Sequence, residues 1–357
     1  MKILVLSNLI SYTYNFRKEI IEAFVANGHE VVVVCDVDDV SKRDELERIC
    51  RLIDVPFHGK GTNPKEELKL IRVYSSIMKS EKPDIMFSFT IKMNLYGGLV
   101  AKKRHVPYVP MITGLGELER EGKLKKILMF LHKRVMPNAK CVVFQNDDNR
   151  EYFTRNNIGF KRSVVVPGSG INLGKFKFQP YPNGGRTVFA FLGRFIEAKG
   201  VSEFLQCAKD MASNDVGFIA AGTMDEKYGG VVESLVAEGR LRYDGELADS
   251  RNFLKEASCL VLPTYHPEGL SNVILEACAT GRPVICTPRT GCKEIVEDGV
   301  NGLYCNARDV GNLESVLKRF ISLPNEARMK MGENGRRIVE GRFDRKIVVD
   351  EYLSLLG

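Results

Sequence analysis

The chain of 357 residues is predicted to be an α/β protein of two Rossmann-like domains facing across a cleft. Three observations predict this. Short apolar runs alternate with helix-length stretches, which is the pattern of parallel βαβ units. The alternation halts at a Pro/Gly-rich stretch in mid-chain and then restarts. The length suits roughly two domains of about 150 residues each, ample for two cores without disulfide staples.

The elements follow in order. Residues 2–6 (KILVL) read as the first strand, and 17–26 as a helix closed by Asn27-Gly28. Strands are expected at 31–35, 84–88, 106–111, 141–145 and 163–166, with a helix over 64–80. Pro167-Gly168-Ser169-Gly170 and the PYPNGG run at 180–185 then interrupt the pattern. Strands resume at 187–192, 216–221, 241–244, 259–263 and 284–286, with helices over 201–211 and from Ser271 to just before Gly281. The division is therefore a domain over 1–170, a linker over 171–186 and a domain over 187–342, with an amphipathic stretch after Phe343 closing the chain. Ligands of such sheets sit beyond the carboxyl ends of the strands, here facing the cleft, whose closure about the linker would bring two substrates together.

Composition narrows the class. A hydrophobic fraction of 44% and a mean hydropathy of −0.14 describe a globular chain without low complexity. The net charge of +7 is unevenly spread: residues 1–180 carry 30 basic against 20 acidic side chains, and 181–357 carry 22 against 25. A basic first half suits an anionic partner such as a phospholipid surface. Nucleic acid is not expected, since there is no Trp and no basic-aromatic reader motif. The nine cysteines are scattered without a CxxC pair, so they read as reduced thiols in a cytoplasmic protein. The isolated histidines form no zinc set. The opening apolar run is broken by Asn8 and Ser11 and reads as a strand, not a leader. No run approaches the length of a membrane span.

Two motifs carry chemistry. Gly193-Arg194-x4-Lys199-Gly200 follows the strand TVFAFL and opens a helix. Two cations beside free helix N–H groups suit a diphosphate, although a turn with two solvated cations has the same sequence. After the strand CLVLP comes a loop carrying Glu268, and a helix begins near Ser271. The amides of Gly269, Leu270 and Ser271 would be open at that helix start, with Asn272 beside them. Glu276 lies one turn further on and would accept two hydrogen bonds from a vicinal diol such as ribose, unless both glutamates are merely solvated.

Spaced as they are, Gly-Arg-x4-Lys-Gly and Glu268-x7-Glu276 resemble the donor site of glycosyltransferase family 4, whose fold is GT-B. The similarity continues through GRPVICTPRTGCKEIVEDGVNGLY and, in the first half, through TIKMNLYGG from Thr90, Thr113-Gly114-Leu115-Gly116, FQNDD at 144–148 and VPGSGINLGKF at 166–176. These stretches resemble the bacterial subgroup that builds capsule, O-antigen and glycan repeat units on undecaprenyl diphosphate. The resemblance implies a retaining hexosyltransferase that moves a hexose or N-acetylhexosamine from a nucleotide sugar, UDP-linked, to a lipid-linked saccharide, with no metal or cofactor. Arg194 and Lys199 would bind the diphosphate, Glu276 the ribose, and Glu268 the donor sugar near its C3 hydroxyl. The amides from Gly269 to Ser271 would meet further oxygens, and Leu247 the base; Asp249 nearby has the alternative of a helix cap. Glu268, Arg194 and Lys199 are thus the catalytic candidates. The closing helix, about 343–357, would pack back on the first domain.

One departure bears on the acceptor. Many members carry a histidine in the loop after the strand matching VPYVPMI, and others a Gly-Gly loop after the first strand. This chain has Thr113 and Gly114 in the one place and a segment containing Thr13 and Asn15 in the other, so these four are the acceptor-side candidates. The rivals are a UDP-sugar epimerase and a non-catalytic nucleotide-sugar binder.

Residues Lys123 to Met136 form an expected basic amphipathic helix. Leu124, Ile127, Leu128, Leu131 and Val135 share one face, Lys126 and Lys133 lie opposite, and Lys123, Lys125, His132 and Arg134 flank. Met129, Phe130 and Met136 are apolar outside the stripe. This suits the inner leaflet of the cytoplasmic membrane as well as ordinary packing on the sheet. Asp36-Val37-Asp38 resembles a metal-binding DxD only by chance composition, and the glycines from Gly168 to Gly174 miss the dinucleotide spacing.

Overall fold

The computed structural model describes residues 1–56, 63–118, 122–182, 185–266 and 269–357. Their contacts separate into two compact units, 1–169 with 346–357 and 170–345.

The first unit runs β1 (Lys2–Leu9), α1 (Ile10–Ala26), β2 (Glu30–Asp36), α2 (Val40–Glu47), β3 (Arg51–Asp54), α3 (Pro64–Glu81), β4 (Ile85–Phe89), α4 (Gly98–Arg104), β5 (Tyr108–Ile112), α5 (Lys123–Val135), β6 (Val142–Phe144), α6 (Asp147–Arg155) and β7 (Ser163–Val165). Its seven strands pair in parallel in the order β3-β2-β1-β4-β5-β6-β7. Alternate residues of β1 serve two cores. Leu4 and Leu6 pack with the residues of α3, α4 and α5, while Ile3 and Val5 pack with those of α1. A sheet buried on both faces explains why its strands read as unbroken apolar runs.

The second unit runs β8 (Thr187–Leu192), α7 (Val201–Met211), β9 (Val216–Ala221), α8 (Gly229–Ala237), β10 (Arg242–Tyr243), α9 (Arg251–Glu256), β11 (Cys259–Leu262), α10 (Asn272–Ala279), β12 (Val284–Cys286), β13 (Gly302–Tyr304), α11 (Val310–Ser322) and α12 (Asn325–Arg342). Its sheet has the order β10-β9-β8-β11-β12-β13, again parallel. Both orders reverse beside their first strand, between β1 and β4 and between β8 and β11. Loops leaving the carboxyl ends at such a switch point splay apart and leave a crevice for ligands.

Several expectations are corrected. The helix expected from residue 17 begins at Ile10, directly after β1, so residues 11–15 are helical and not a loop. β3 and β13 were absent from the sequence reading; four and three residues long, they carry too little pattern to be seen. Residues 171–186, expected as a linker, start with chain that packs into the second unit, where Ile171 and Phe176 join its core and Tyr181 is buried. Ile171 N–H donates to Phe343 O at 2.8 Å, and Arg345 N–H to Ile171 O at 3.0 Å. Gly170, at φ +63°, permits this: a Cβ there would lie 2.5 Å from Arg345 Cα.

After Arg345 the chain passes to the first unit as α13 (Arg345–Ser354). Val348, Tyr352 and Leu355 enter its core, with the Tyr352 ring 5.5 Å from Phe87 and 6.0 Å from Phe89.

Candidate active site

The loop leaving β8 carries the first motif. Arg194 is exposed at the strand end and Lys199 half-buried in a 3-10 turn over Glu197–Lys199. This loop is fastened to the one that leaves β11. Ala198 O accepts from Thr264 Oγ1 at 3.0 Å and from the Tyr265 amide at 3.1 Å. Gly200, at φ +71°, lies so close that a Cβ would meet Pro263 O at 2.2 Å. Only glycine has both the backbone freedom and the clearance. Two motifs more than sixty residues apart in the sequence therefore form one surface at the switch point of the second sheet.

The second loop leads into α10. Glu268 lies outside the described residues. Gly269 and Leu270 are buried, as is Ser271. One expectation fails here: the Ser271 amide is not open, because it donates to Gly291 O at 2.9 Å. The first helical bond is Leu275 N–H to Ser271 O at 3.1 Å, and Ser271 provides no side-chain cap. The open donors of this helix start are therefore those of Asn272 and the next two residues. That shift by one residue follows from a distant loop, which no local pattern reveals.

Glu276 is half-buried on α10 and accepts from Ser250 Oγ at 2.6 Å. This bond ties it to the 246–250 loop, where Leu247 is half-buried against the core. Burial raises the Glu276 pKa, while the Ser250 hydrogen bond and the charges of Lys175 and Arg345 work the other way. Asp249 accepts from the Arg251 amide at 3.0 Å and from its guanidinium, which lowers the Asp249 pKa. It is engaged beside the start of α9, whose N-cap residue is Ser250.

The acceptor-side candidates divide. Thr13 is fully buried in α1, its hydroxyl donating to Leu9 O at 2.8 Å, so it is a packing residue and not a surface one. Asn15 is exposed on the same helix, and Thr113 and Gly114 are half-buried just beyond β5. The structure adds residues that were not singled out. Thr90, at the carboxyl end of β4, has φ +73°, a rare conformation for a β-branched residue. A π-helical turn, Met93–Gly97, follows, and its buried Asn94 accepts from Ser88 Oγ and donates to Met111 O at 2.7 Å. Strain and a π-turn at a switch point are features of functional sites. Arg17 is buried beside them, stacked 4.4 Å over Phe89 and donating to Ser169 Oγ at 3.1 Å. Its sequence signal was weak, since Arg17 stands beside Lys18 and Glu19 and reads like them as a solvated charge.

α5 also differs from expectation. Val135 and Met136 are fully buried, while Leu128, Met129 and Leu131 are partly buried against the core. His132 points inward, bonded to Leu128 O at 2.7 Å and edge-on to Phe153; burial lowers its pKa to about 4, so it is not a flanking cation. Ile127 turns outward instead, and both it and Phe130 are 56% exposed. Lys123, Lys126, Lys133 and Arg134 surround them, with Arg134 stacked 5.0 Å from the Phe130 ring centre. No helix among the described residues is long and apolar enough to cross a membrane. Among those residues no cluster has the makings of a metal site, and Asp38 accepts hydrogen bonds from Ser11.

Two doubly wound units, with the second unit's motif loops joined at its switch point, define a GT-B protein. Solved structures share this fold: Anabaena HepE in complex with UDP and glucose (TM-score 0.80, 18% identity, 100% of this chain and 99% of that one) and Thermosynechococcus elongatus sucrose-phosphate synthase (TM-score 0.82, 18% identity, 100% and 98%). Residues 174–338 match the family "Glycosyl transferases group 1", and residues 16–168 match "Glycosyl transferase 4-like domain". The chain belongs to these glycosyltransferases and is an enzyme of that class. Among its relatives is the Campylobacter jejuni N,N'-diacetylbacillosaminyl-diphospho-undecaprenol alpha-1,3-N-acetylgalactosaminyltransferase, 26% identical over 99% of this chain and 98% of the relative. Another is the Escherichia coli UDP-Gal:alpha-D-GlcNAc-diphosphoundecaprenol alpha-1,3-galactosyltransferase, 25% identical over 77% and 76%.

Proposed function

We propose that the protein transfers a hexose or N-acetylhexosamine from a UDP-sugar to a saccharide carried on a lipid diphosphate, with retention of configuration. The observation that carries this is the junction at Ala198, where the loop bearing Arg194 and Lys199 is fastened to the loop that starts α10. In this reading Arg194, Lys199 and the amides from Asn272 onward hold the diphosphate and stabilise the charge that develops on it as the glycosidic bond breaks. Glu276 accepts from the ribose hydroxyls, Leu247 lines the base, and Glu268 meets the sugar, with Gly269 and Leu270 shaping the loop between. No metal has a part in this scheme. On the acceptor side, Asn15, Thr113, Gly114 and the strained Thr90 are the positions at the carboxyl ends of the first sheet. The two relatives named above, which act on diphosphoundecaprenol-linked sugars by their names, support the acceptor class. The test is UDP release from a panel of UDP-sugars, with and without undecaprenyl-diphosphate glycans, in EDTA. Release from one donor only when lipid acceptor is present is the expected result; acceptor-independent isomerisation or binding alone would overturn the reading.

Glu276→Gln is expected to separate stability from function. Because burial raises the carboxyl pKa in the folded state, the stabilising share of this group is complete below the ordinary glutamate value and is lost as pH rises through the raised one. Near neutral pH the glutamine variant should melt higher than the parent, and the gain should vanish in acid. Its donor KM should rise roughly tenfold or more, since a charged hydrogen bond is worth about 1.5–3 kcal/mol. Melting curves across pH, beside donor titrations, check both halves.

The exposed Ile127 and Phe130, ringed by lysines and Arg134, are the part of α5 that would enter the inner leaflet. Ile127→Ser with Phe130→Ser should weaken binding to anionic vesicles at least tenfold, at about 1 kcal/mol for each half-exposed side chain. Turnover on a soluble acceptor should be unchanged, and vesicle sedimentation beside that assay is the measurement.

A further inference from the structure

The first unit has a concavity at the opposite end of its sheet from the switch-point loops. A groove of about 510 Å³ opens where α3 and α4 end, at the amino ends of β4 and β5. Lys79, Lys82, Arg104 and His105 line it, with Asp84 as the one carboxylate. Asp84 already accepts from the Lys2 amide at 2.6 Å. Lys79 and Lys82 are exposed and have no ion pair among the described residues. Arg104 donates to Ser75 Oγ at 2.9 Å, yet its Nε is buried with no acceptor among the described residues. A buried guanidinium nitrogen left unpaired is costly, and an incoming oxygen anion would relieve it once the side chain turned toward the groove.

Cations at helix carboxyl ends have an ordinary use, which is to offset the helix dipole. Each end carries only about half a negative charge. Two lysines and an arginine therefore exceed what two helix ends and Asp84 require, and a net positive field is left in a concave place.

We propose that this groove is a binding site for a phosphate group, separate from the reaction centre. The phosphate could belong to an acidic lipid head group or to a soluble phosphorylated compound, and the two sources are separable. The proposal stands independently of the reaction proposed above.

The full chain, with saturating UDP present to fill the diphosphate site proposed at Arg194 and Lys199, is titrated in solution with inorganic pyrophosphate and, separately, with monomeric short-chain phosphatidylglycerol. Three variants accompany it: Lys79→Gln with Lys82→Gln; the same pair with Arg104→Gln; and Lys102→Gln with Lys103→Gln, which removes equal charge from neighbouring positions outside the groove. Saturable one-to-one binding of either probe, weakened at least tenfold by the first pair and further by the triple change but little by the control pair, is the expected result. The probe that binds names the source. The first pair touches only exposed side chains, so it decides the matter even if Arg104→Gln folds poorly. No saturable binding of either probe, or equal weakening by groove and control pairs, would overturn the site. Turnover on a soluble acceptor should be the same in the parent and in both lysine pairs.

Discussion

Lys199→Ala should leave a folded protein whose turnover falls by roughly 100- to 1000-fold. In the proposed reaction the bond to the departing UDP breaks before the new bond is complete, so negative charge grows on the diphosphate. A cation already in place stabilises that charge without reorganising, and loss of one such partner typically costs about 2.7–4 kcal/mol. Folding should survive because the turn is held by its backbone. The Lys199 amide donates to Ile196 O at 3.0 Å, Ala198 O takes its two bonds from the neighbouring loop, and Gly200 makes the close approach to Pro263. None of these needs the lysine side chain beyond Cβ. The measurement is kcat at saturating donor together with a melting curve. A variant that melts like the parent and turns over fully would remove Lys199 from the phosphate site; one that melts much lower would make it a structural residue instead.

Arg282→Met should be the most destabilising single change named here, at about 3–5 kcal/mol. Arg282 is fully buried, and burial lowers its pKa to about 10. Among the described residues its guanidinium donates only to main-chain carbonyls: Leu254 at 2.9 Å, Pro180 at 2.9 Å, Lys255 at 3.1 Å, Gln179 at 3.2 Å and Gly281 at 3.3 Å. Methionine fills much of the volume but leaves buried acceptors unpaired, each costing about 1–3 kcal/mol. At the size of the second unit this shifts its melting by roughly 10 °C. Arg282→Lys should not rescue it, since an ammonium has fewer donors and none in the planar fork. Calorimetry of the parent and both variants gives the answer. A shift within a degree or two for Arg282→Met would mean that water replaces the guanidinium without loss. The position matters for the architecture, because Gln179 and Pro180 belong to the stretch that looked like a linker.

That stretch illustrates how far sequence reading reaches. Proline and glycine around residues 180–185 signal irregular backbone, and the backbone is irregular at 180–182. Irregular is not the same as unattached. Ile171, Phe176 and Tyr181 are buried, and Arg282, a hundred residues later, binds the carbonyls between them. α5 teaches the same about helices. Its periodicity was visible, and Leu128, Leu131 and Val135 do face the core, but His132 lies inside, bonded to Leu128 O and edge-on to Phe153, while Ile127 lies outside.

The two-sheet α/β class, most strands, the two charged motifs and the glycosyltransferase resemblance were all legible in the residues alone. These rest on signals local to a few residues: apolar runs for strands buried on both faces, Pro/Gly breaks, and charged groups at fixed offsets after a strand. Packing settled the rest: that the Lys199 loop and the Pro263 loop touch, that the Ser271 amide is spent on Gly291, that Thr13 is core, and that Arg104 has a nitrogen unpaired among the described residues. Each of those depends on which atom a distant part of the chain brings within hydrogen-bonding or van der Waals distance. Such pairings are short-ranged in space and long-ranged in sequence, so they come into being only when the sheets are assembled.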